Sequence, residues 1–182
     1  MTKLDLGEFA LVGFSMGGGE VARYLGTYGS VGVSKGIFIS SIPLFLLKAA
    51  DNPEGLDGSV FEGIKKAIGA DRPAFLSVFF ADFYNVDVLG GKRISDEVVQ
   101  YNWNVAVSAS PKGTLDCFPA WGTDFRNHLS RINVPTLVIH GDADRILPIA
   151  ATGKRALTPP PAPLSRARGG GDGVGLPTAS SA

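Results

Sequence analysis

Residues 9–19 read Phe9-Ala10-Leu11-Val12-Gly13-Phe14-Ser15-Met16-Gly17-Gly18-Gly19, and this order decides the fold. Phe9 to Phe14 is a short apolar run without alternation, the pattern of a parallel strand buried on both faces. After Ser15 come Met16 and three glycines, and Glu20 to Tyr28 then turns to helical spacing. Val21, Leu25 and Tyr28 fall at i, i+4 and i+7 on one face. Gly29 is placed to end that helix. A second apolar run, Gly36 to Ile42, is again strand-like, and Pro43 closes it. Strand, tight turn, helix and strand make a βαβ unit, which implies a right-handed crossover between parallel strands.

Outward from this unit the chain changes character. Between about Leu44 and Leu129 four helix-length segments, roughly 59–69, 73–84, 95–108 and 119–129, are separated by turn signals such as Gly90-Gly91 and Ser110-Pro111. Phe75, Phe79, Trp103, Phe118 and Trp121 make this region aromatic, as suits a helical core or a cap lining an apolar pocket. Val134 to His140 reads as a third strand, followed by the turn Gly141-Asp142-Ala143-Asp144. Beyond Leu157 the hydrophobic period fails. Residues 158–182 are dominated by Pro, Gly, Ser, Ala and Arg, too little apolar side chain to offset ordering entropy, so a disordered tail is expected. The chain thus divides into a βαβ part of a core (1–43), a helical cap (44–129), a third core strand with its loop (130–157) and the tail (158–182).

Composition narrows the function classes. At 182 residues the chain suits one domain, and its 17 Lys+Arg balance 17 Asp+Glu, leaving no net field to draw nucleic acid or an anionic membrane. A single cysteine, Cys117, excludes an internal disulfide framework and a cysteine-clustered metal site, and reads as a small core residue. No apolar run approaches the roughly 18 residues of a membrane span, and the first residues lack the apolar stretch of a secretory signal. A cytoplasmic protein is expected.

Gly13-Phe14-Ser15-Met16-Gly17 matches G-x-S-x-G between a predicted strand and a predicted helix, the context that gives this motif its meaning. A nucleophile on such a tight turn needs small neighbours, which Gly13 and Gly17 supply. The backbone N–H of Met16, at the helix start, is placed to donate to an oxyanion. Four stretches carry a more specific likeness: G-F-S-M-G-G-G-E-V-A-R-Y from Gly13, A-D-F-Y-N-V-D-V-L-G-G-K from Ala81, S-P-K-G-T-L-D-C from Ser110 and H-G-D-A-D-R-I-L-P-I from His140. They resemble the cofactor-free (non-haem) haloperoxidases and chloroperoxidases, α/β-hydrolases with esterase and perhydrolase activity, and the likeness runs from about Leu6 to Arg155. It implies a partial α/β-hydrolase fold: a short parallel sheet with a helical cap insertion. It implies Ser15 as nucleophile, Asp144 as triad acid and Met16 N–H as an oxyanion donor, although Asp142 competes with Asp144 on position alone. The expected partners are a small acyl substrate and hydrogen peroxide as acyl acceptor, with no cofactor and no metal, because the peracid formed oxidises halide in solution.

The likeness also sets a difficulty. Members of that family have several strands before the elbow, a loop there giving a second oxyanion N–H, and a catalytic histidine after the acid. Here the serine stands at residue 15, and no histidine follows His140. The reading is therefore of a truncated member. His128 lies before the third strand, roughly 20 Å from its catalytic end at the usual strand rise, and reads as a helix-surface residue. His140 precedes a glycine turn and reads as a structural histidine with its bonds satisfied. Without an imidazole in reach, Ser15 lacks a proton acceptor and Asp144 a group to orient. Both flanks of a three-stranded sheet would also stand open, inviting self-association through exposed edges. Two functions compete: an impaired serine hydrolase acting on small acyl esters or carboxylic acids, and a non-catalytic fragment or pseudoenzyme acting only by association.

Overall fold

The computed structural model describes residues 2–42, 45–53, 55–154, 156 and 164–168. Pro43, read as closing the second strand, lies outside these, as do residues 158–163 and 169–182 of the expected tail. A 3-10 turn, Thr2–Leu4, precedes β1 (Phe9–Phe14), α1 (Gly17–Tyr28) and β2 (Val33–Ile39). Then come α2 (Gly58–Phe83), α3 (Val86–Leu89), α4 (Asp96–Val107), α5 (Pro111–Asp116), α6 (Phe118–Trp121) and α7 (Arg126–Leu129). Two further strands, β3 (Thr136–His140) and β4 (Leu164–Arg168), follow. All neighbouring strands are parallel, in the order β1-β2-β3-β4. The βαβ unit read from residues 9–42 is present, its second strand beginning and ending three residues earlier than expected.

The apolar run of β1 is covered on one face only. Gly13, Phe38 and Val138 sit side by side in register on the face that meets α1, and Phe38 is 2% exposed. The opposite face carries Val12 beside Ile37, and Phe14 beside Ile39 and Ile139. There Val12 is 56% and Phe14 54% exposed. A run without alternation says that both faces are apolar; it does not say that both are covered. Among the described residues the helices α1 and α7 pack on one side only, together with Phe125, Ile132 and Val134.

Two readings of the sheet's surroundings change. The outer edge of β3, expected to be open, has β4 beside it among the described residues. Backbone pairing to an open edge needs no apolar side chains, which is why composition does not reveal it. The outer edge of β1 has no strand partner among the described residues. In α1 the covered stripe runs through Gly18, Gly19, Val21, Ala22, Leu25 and Gly26. Tyr28, read onto that face, is instead 74% exposed, with the Tyr24 ring 5.5 Å from its own. Gly29 ends the helix as expected, its N–H bonding the Leu25 carbonyl at 3.1 Å in a left-handed conformation (φ 76°).

The cap follows the turn signals. Asp57 caps α2 by accepting from Ser59 N–H at 2.9 Å. Asp71 breaks the helix (φ −156°, ψ 90°) two residues before Pro73, then accepts from Ala74 N–H at 3.0 Å, restarting it. The helices expected at 59–69 and 73–84 are therefore the two halves of α2. Ser95 caps α4 through Val98 N–H at 3.3 Å. The helix expected at 119–129 is instead split: Gly122 ends α6, and the Asp124 carboxylate accepts from Arg126 N–H at 3.0 Å to start α7. Cys117 is half-buried between α5 and α6 rather than in the core. A second apolar cluster, with Ile42, Leu46, Phe61, Phe118 and Leu147 at its centre, joins the cap to the loop after β3. Among the described residues no helix is long and apolar enough to cross a membrane.

The one-sided sheet is tested by substitution. Phe38→Ala, on the covered face, is expected to cost about 3–5 kcal/mol of unfolding free energy, and Val12→Thr, on the open face, to stay within about 0.5 kcal/mol, as read by urea titration.

Candidate active site

The turn after β1 is built by backbone contact. A Cβ on Gly13 would lie 2.6 Å from Gly18 Cα and 2.7 Å from the Gly17 carbonyl oxygen, so strand and helix meet with no side chain between them. Ser15 takes a left-handed conformation (φ 51°) that a side-chain-bearing residue adopts at a cost. Three bonds hold it there. Its N–H donates to the Ile39 carbonyl at 3.0 Å, and its carbonyl accepts from Gly18 and Ile42 N–H, each at 3.1 Å. Met16 stands at the N-terminal cap of α1, where the helix dipole is positive. Its sulfur accepts from the Trp121 indole N–H at 2.8 Å, tying the cap to the elbow.

The C-terminal ends of β1, β2 and β3 open into a pocket of about 280 Å³. Its walls are Phe14, Ser15, Ser40, Phe83, Asn85 and the loop Gly141–Leu147. This is where ligands bind in parallel α/β sheets, and the volume is at the small end for a ligand site. Four described non-glycine residues have positive φ, and three of them, Ser15, Ser40 and Asn85, line this pocket. Strain is concentrated where the chemistry would be.

Ser15 and Asp144, both named from sequence, therefore face one cavity. Asp144 is also the more firmly held of the two candidate acids. One carboxylate oxygen accepts from Ile146 N–H at 3.0 Å and Leu147 N–H at 2.8 Å. The other lies 3.4 Å from His140 Nε2. Burial pushes its pKa up, but the His140 bond, the Leu147 N–H and the histidine's charge outweigh that and hold it below the ordinary carboxylate value. Asp142 lines the same pocket but is exposed and makes no comparable set of bonds among the described residues.

His140 is buried, with Nε2 donating to the Leu147 carbonyl at 2.7 Å and lying 3.4 Å from Thr152 Oγ1. Burial lowers its pKa, yet the Asp144 carboxylate and the Leu147 carbonyl reverse this and raise it above the usual value. The expectation of a structural histidine stands, with one amendment: Nδ1 is buried without a partner among the described residues, so its bonds are not all satisfied. His128, read as a surface residue, is half-buried. A Cβ on Gly26 would meet it at 2.6 Å, so its side chain is pressed against α1, with Nδ1 buried and unpartnered among the described residues. Neither imidazole lines the pocket. Sequence reading gave no role to Ser40, Asn85, Asp87 or Arg145; the stretch from Ala81 to Lys92 marked the segment without marking its contacts.

Comparison with known proteins bears on the family and the fold. The family described as alpha/beta hydrolase fold matches residues 1–157. A Synechocystis sp. protein, provisionally named a non-heme chloroperoxidase, is 64% identical over 155 residues, covering 85% of this chain and 56% of that protein. An Acinetobacter calcoaceticus bifunctional esterase/perhydrolase is 35% identical over 147 residues, covering 80% of this chain and 53% of that one. The crystal structure of a bromoperoxidase from Bacillus anthracis superposes with a TM-score of 0.80 at 43% identity, covering 91% of this chain and 61% of that chain. This chain thus spans little more than half the length of the curated relatives it matches.

The His140–Asp144 pair gives a pH dependence with a definite sign. The raised pKa of His140 makes its contribution complete below the ordinary 6.5 and lost as pH rises through the folded value. The lowered pKa of Asp144 makes its contribution complete above the ordinary 3.8 and lost as pH falls through the folded value. Thermal unfolding is expected to be most favourable to the native state between these limits. His140→Gln should remove the loss on the alkaline side, and Asp144→Asn the loss on the acid side.

Proposed function

Because the chain belongs to the α/β-hydrolase fold family, we propose that it carries the nucleophile and acid of a serine hydrolase of the esterase, perhydrolase and haloperoxidase kind, acting on small acyl esters or carboxylic acids. The observation that supports this reading most is the placement of Ser15 on a strained glycine-flanked turn, in one pocket with a carboxylate that His140 and two backbone N–H groups keep ionised. The likeness to a bifunctional esterase/perhydrolase supports both water and hydrogen peroxide as acyl acceptors.

In this reading Ser15 Oγ attacks the acyl carbonyl and loses its proton as the C–O bond forms. The oxyanion forms near the Met16 N–H at the start of α1, where the helix dipole favours negative charge. Collapse expels the alcohol, leaving an acyl-serine. Water then releases a carboxylic acid, or hydrogen peroxide releases a peracid. The proton acceptor is the weak step in these 182 residues. His140 spends Nε2 on the Leu147 carbonyl and the acid itself, and His128 is packed against α1. Ser15 then transfers its proton to solvent, so acylation is slow, and what remains is the residual catalysis of a triad lacking a member.

A stopped-flow burst with p-nitrophenyl acetate on the folded 182-residue chain tests this. A small burst, slower by about 10³-fold or more than a complete triad gives and abolished in Ser15→Ala, is expected. Equal rates for the chain and Ser15→Ala would sink the hydrolase reading.

A further inference from the structure

The two residues flanking Asp144 are each tied to the same six-residue stretch of the cap, from the end of α2 into α3. On one side, the Ala143 carbonyl accepts from Asn85 Nδ2 at 3.3 Å. On the other, the Arg145 guanidinium donates in a fork to the Asp87 carboxylate, at 2.8 and 3.0 Å. Asp82, one turn earlier, lies 3.7 Å from the same guanidinium. The contacts cross 58 residues of chain and meet at the pocket wall.

Asn85 is costly to keep as it is. It holds a left-handed backbone (φ 48°, ψ 51°), and its Oδ1 is buried with no partner among the described residues. An unmade acceptor bond and a strained dihedral in one residue point to a role that compensates for both. The one side-chain bond described for Asn85 is the one to Ala143, and the reverse amide orientation would set Oδ1 against that carbonyl.

We infer that Asn85, Asp87 and Arg145 are positioning residues: a polar clamp by which the α2–α3 junction of the cap holds Asp144 in place, from both of its chain neighbours. This rests on the reading of Asp144 as the catalytic acid. Leu147 and Ile146 already anchor the far end of the loop in the apolar cluster beneath the cap. The clamp adds what a slippery apolar contact lacks, a fixed direction for the segment Ala143–Arg145, because a forked guanidinium–carboxylate pair constrains angle as well as distance. Movement of this junction is then transmitted to the acid rather than absorbed by the loop.

His140 reports on this without any turnover, since its Nε2 faces the Asp144 carboxylate at 3.4 Å. The test is the pH titration of the His140 Cε1–H signal by NMR on the full chain, in Arg145→Gln and in Asn85→Gly, which keeps the left-handed backbone without strain. Each variant is expected to lower the His140 protonation constant about threefold, half a pKa unit, as Asp144 loosens. The swap Asp87→Arg with Arg145→Asp should restore it. Titrations in both single variants that coincide with the unmodified chain, with unchanged circular dichroism, would overturn the clamp, as would a swap that fails to restore the shift. An inactive chain leaves the result equally readable, so failure of the hydrolase reading and failure of the clamp are separate outcomes.

Discussion

Everything in the site depends on a contact in which no side chain takes part: Gly13 lying against the Gly17–Gly18 backbone. A methyl group there would collide with main-chain atoms that have nowhere to move. With it gone, β1 and α1 close to a distance at which the intervening residues must turn sharply, and Ser15 is forced into a left-handed conformation. The hydrogen bonds to Ile39 and Ile42 then fix that turn to the next strand. The serine's place at the C-terminal end of β1 is thus a by-product of glycine packing two to three residues away.

The same logic extends to the opposite wall of the pocket. The acid loop is anchored from within, by the carboxylate of Asp144 bonding the N–H groups of Ile146 and Leu147. From below it is anchored by His140, and from the side by the cap. The site is therefore assembled by three parts of the chain, near residues 13–18, 82–87 and 140–147, joined through bonds that each span long stretches of sequence. Trp121 adds a fourth link by bonding the sulfur of Met16, beside Ser15.

What could be read from the sequence follows from what is local. The elbow was legible because G-x-S-x-G encodes a backbone contact within five residues, and Asp144 because the stretch from His140 carries the family likeness, position alone leaving Asp142 open. Non-local pairings were not. Nothing in the spacing of His140 and Asp144 says that one imidazole nitrogen would serve both the acid and the Leu147 carbonyl. The Arg145–Asp87 fork joins two charges that, read alone, are ordinary surface residues. The uncovered face of the sheet escaped because a parallel strand and a half-covered one share the same apolar run. Tyr28 failed for a related reason: helical periodicity fixes the side of a helix, not how far along it the neighbouring core extends.

The half-covered sheet also shapes the chain's response to temperature. Val12, Phe14 and Ile139 are already hydrated in the native state, so unfolding exposes less new apolar surface than 182 residues of this hydropathy would suggest. Heat capacity rises with newly exposed apolar area, ordinarily by about 12–15 cal/mol/K per residue. A sheet that is wet on one side before it unfolds contributes less than its share. The stability of the chain then varies shallowly with temperature, a broad low dome rather than a tall narrow one.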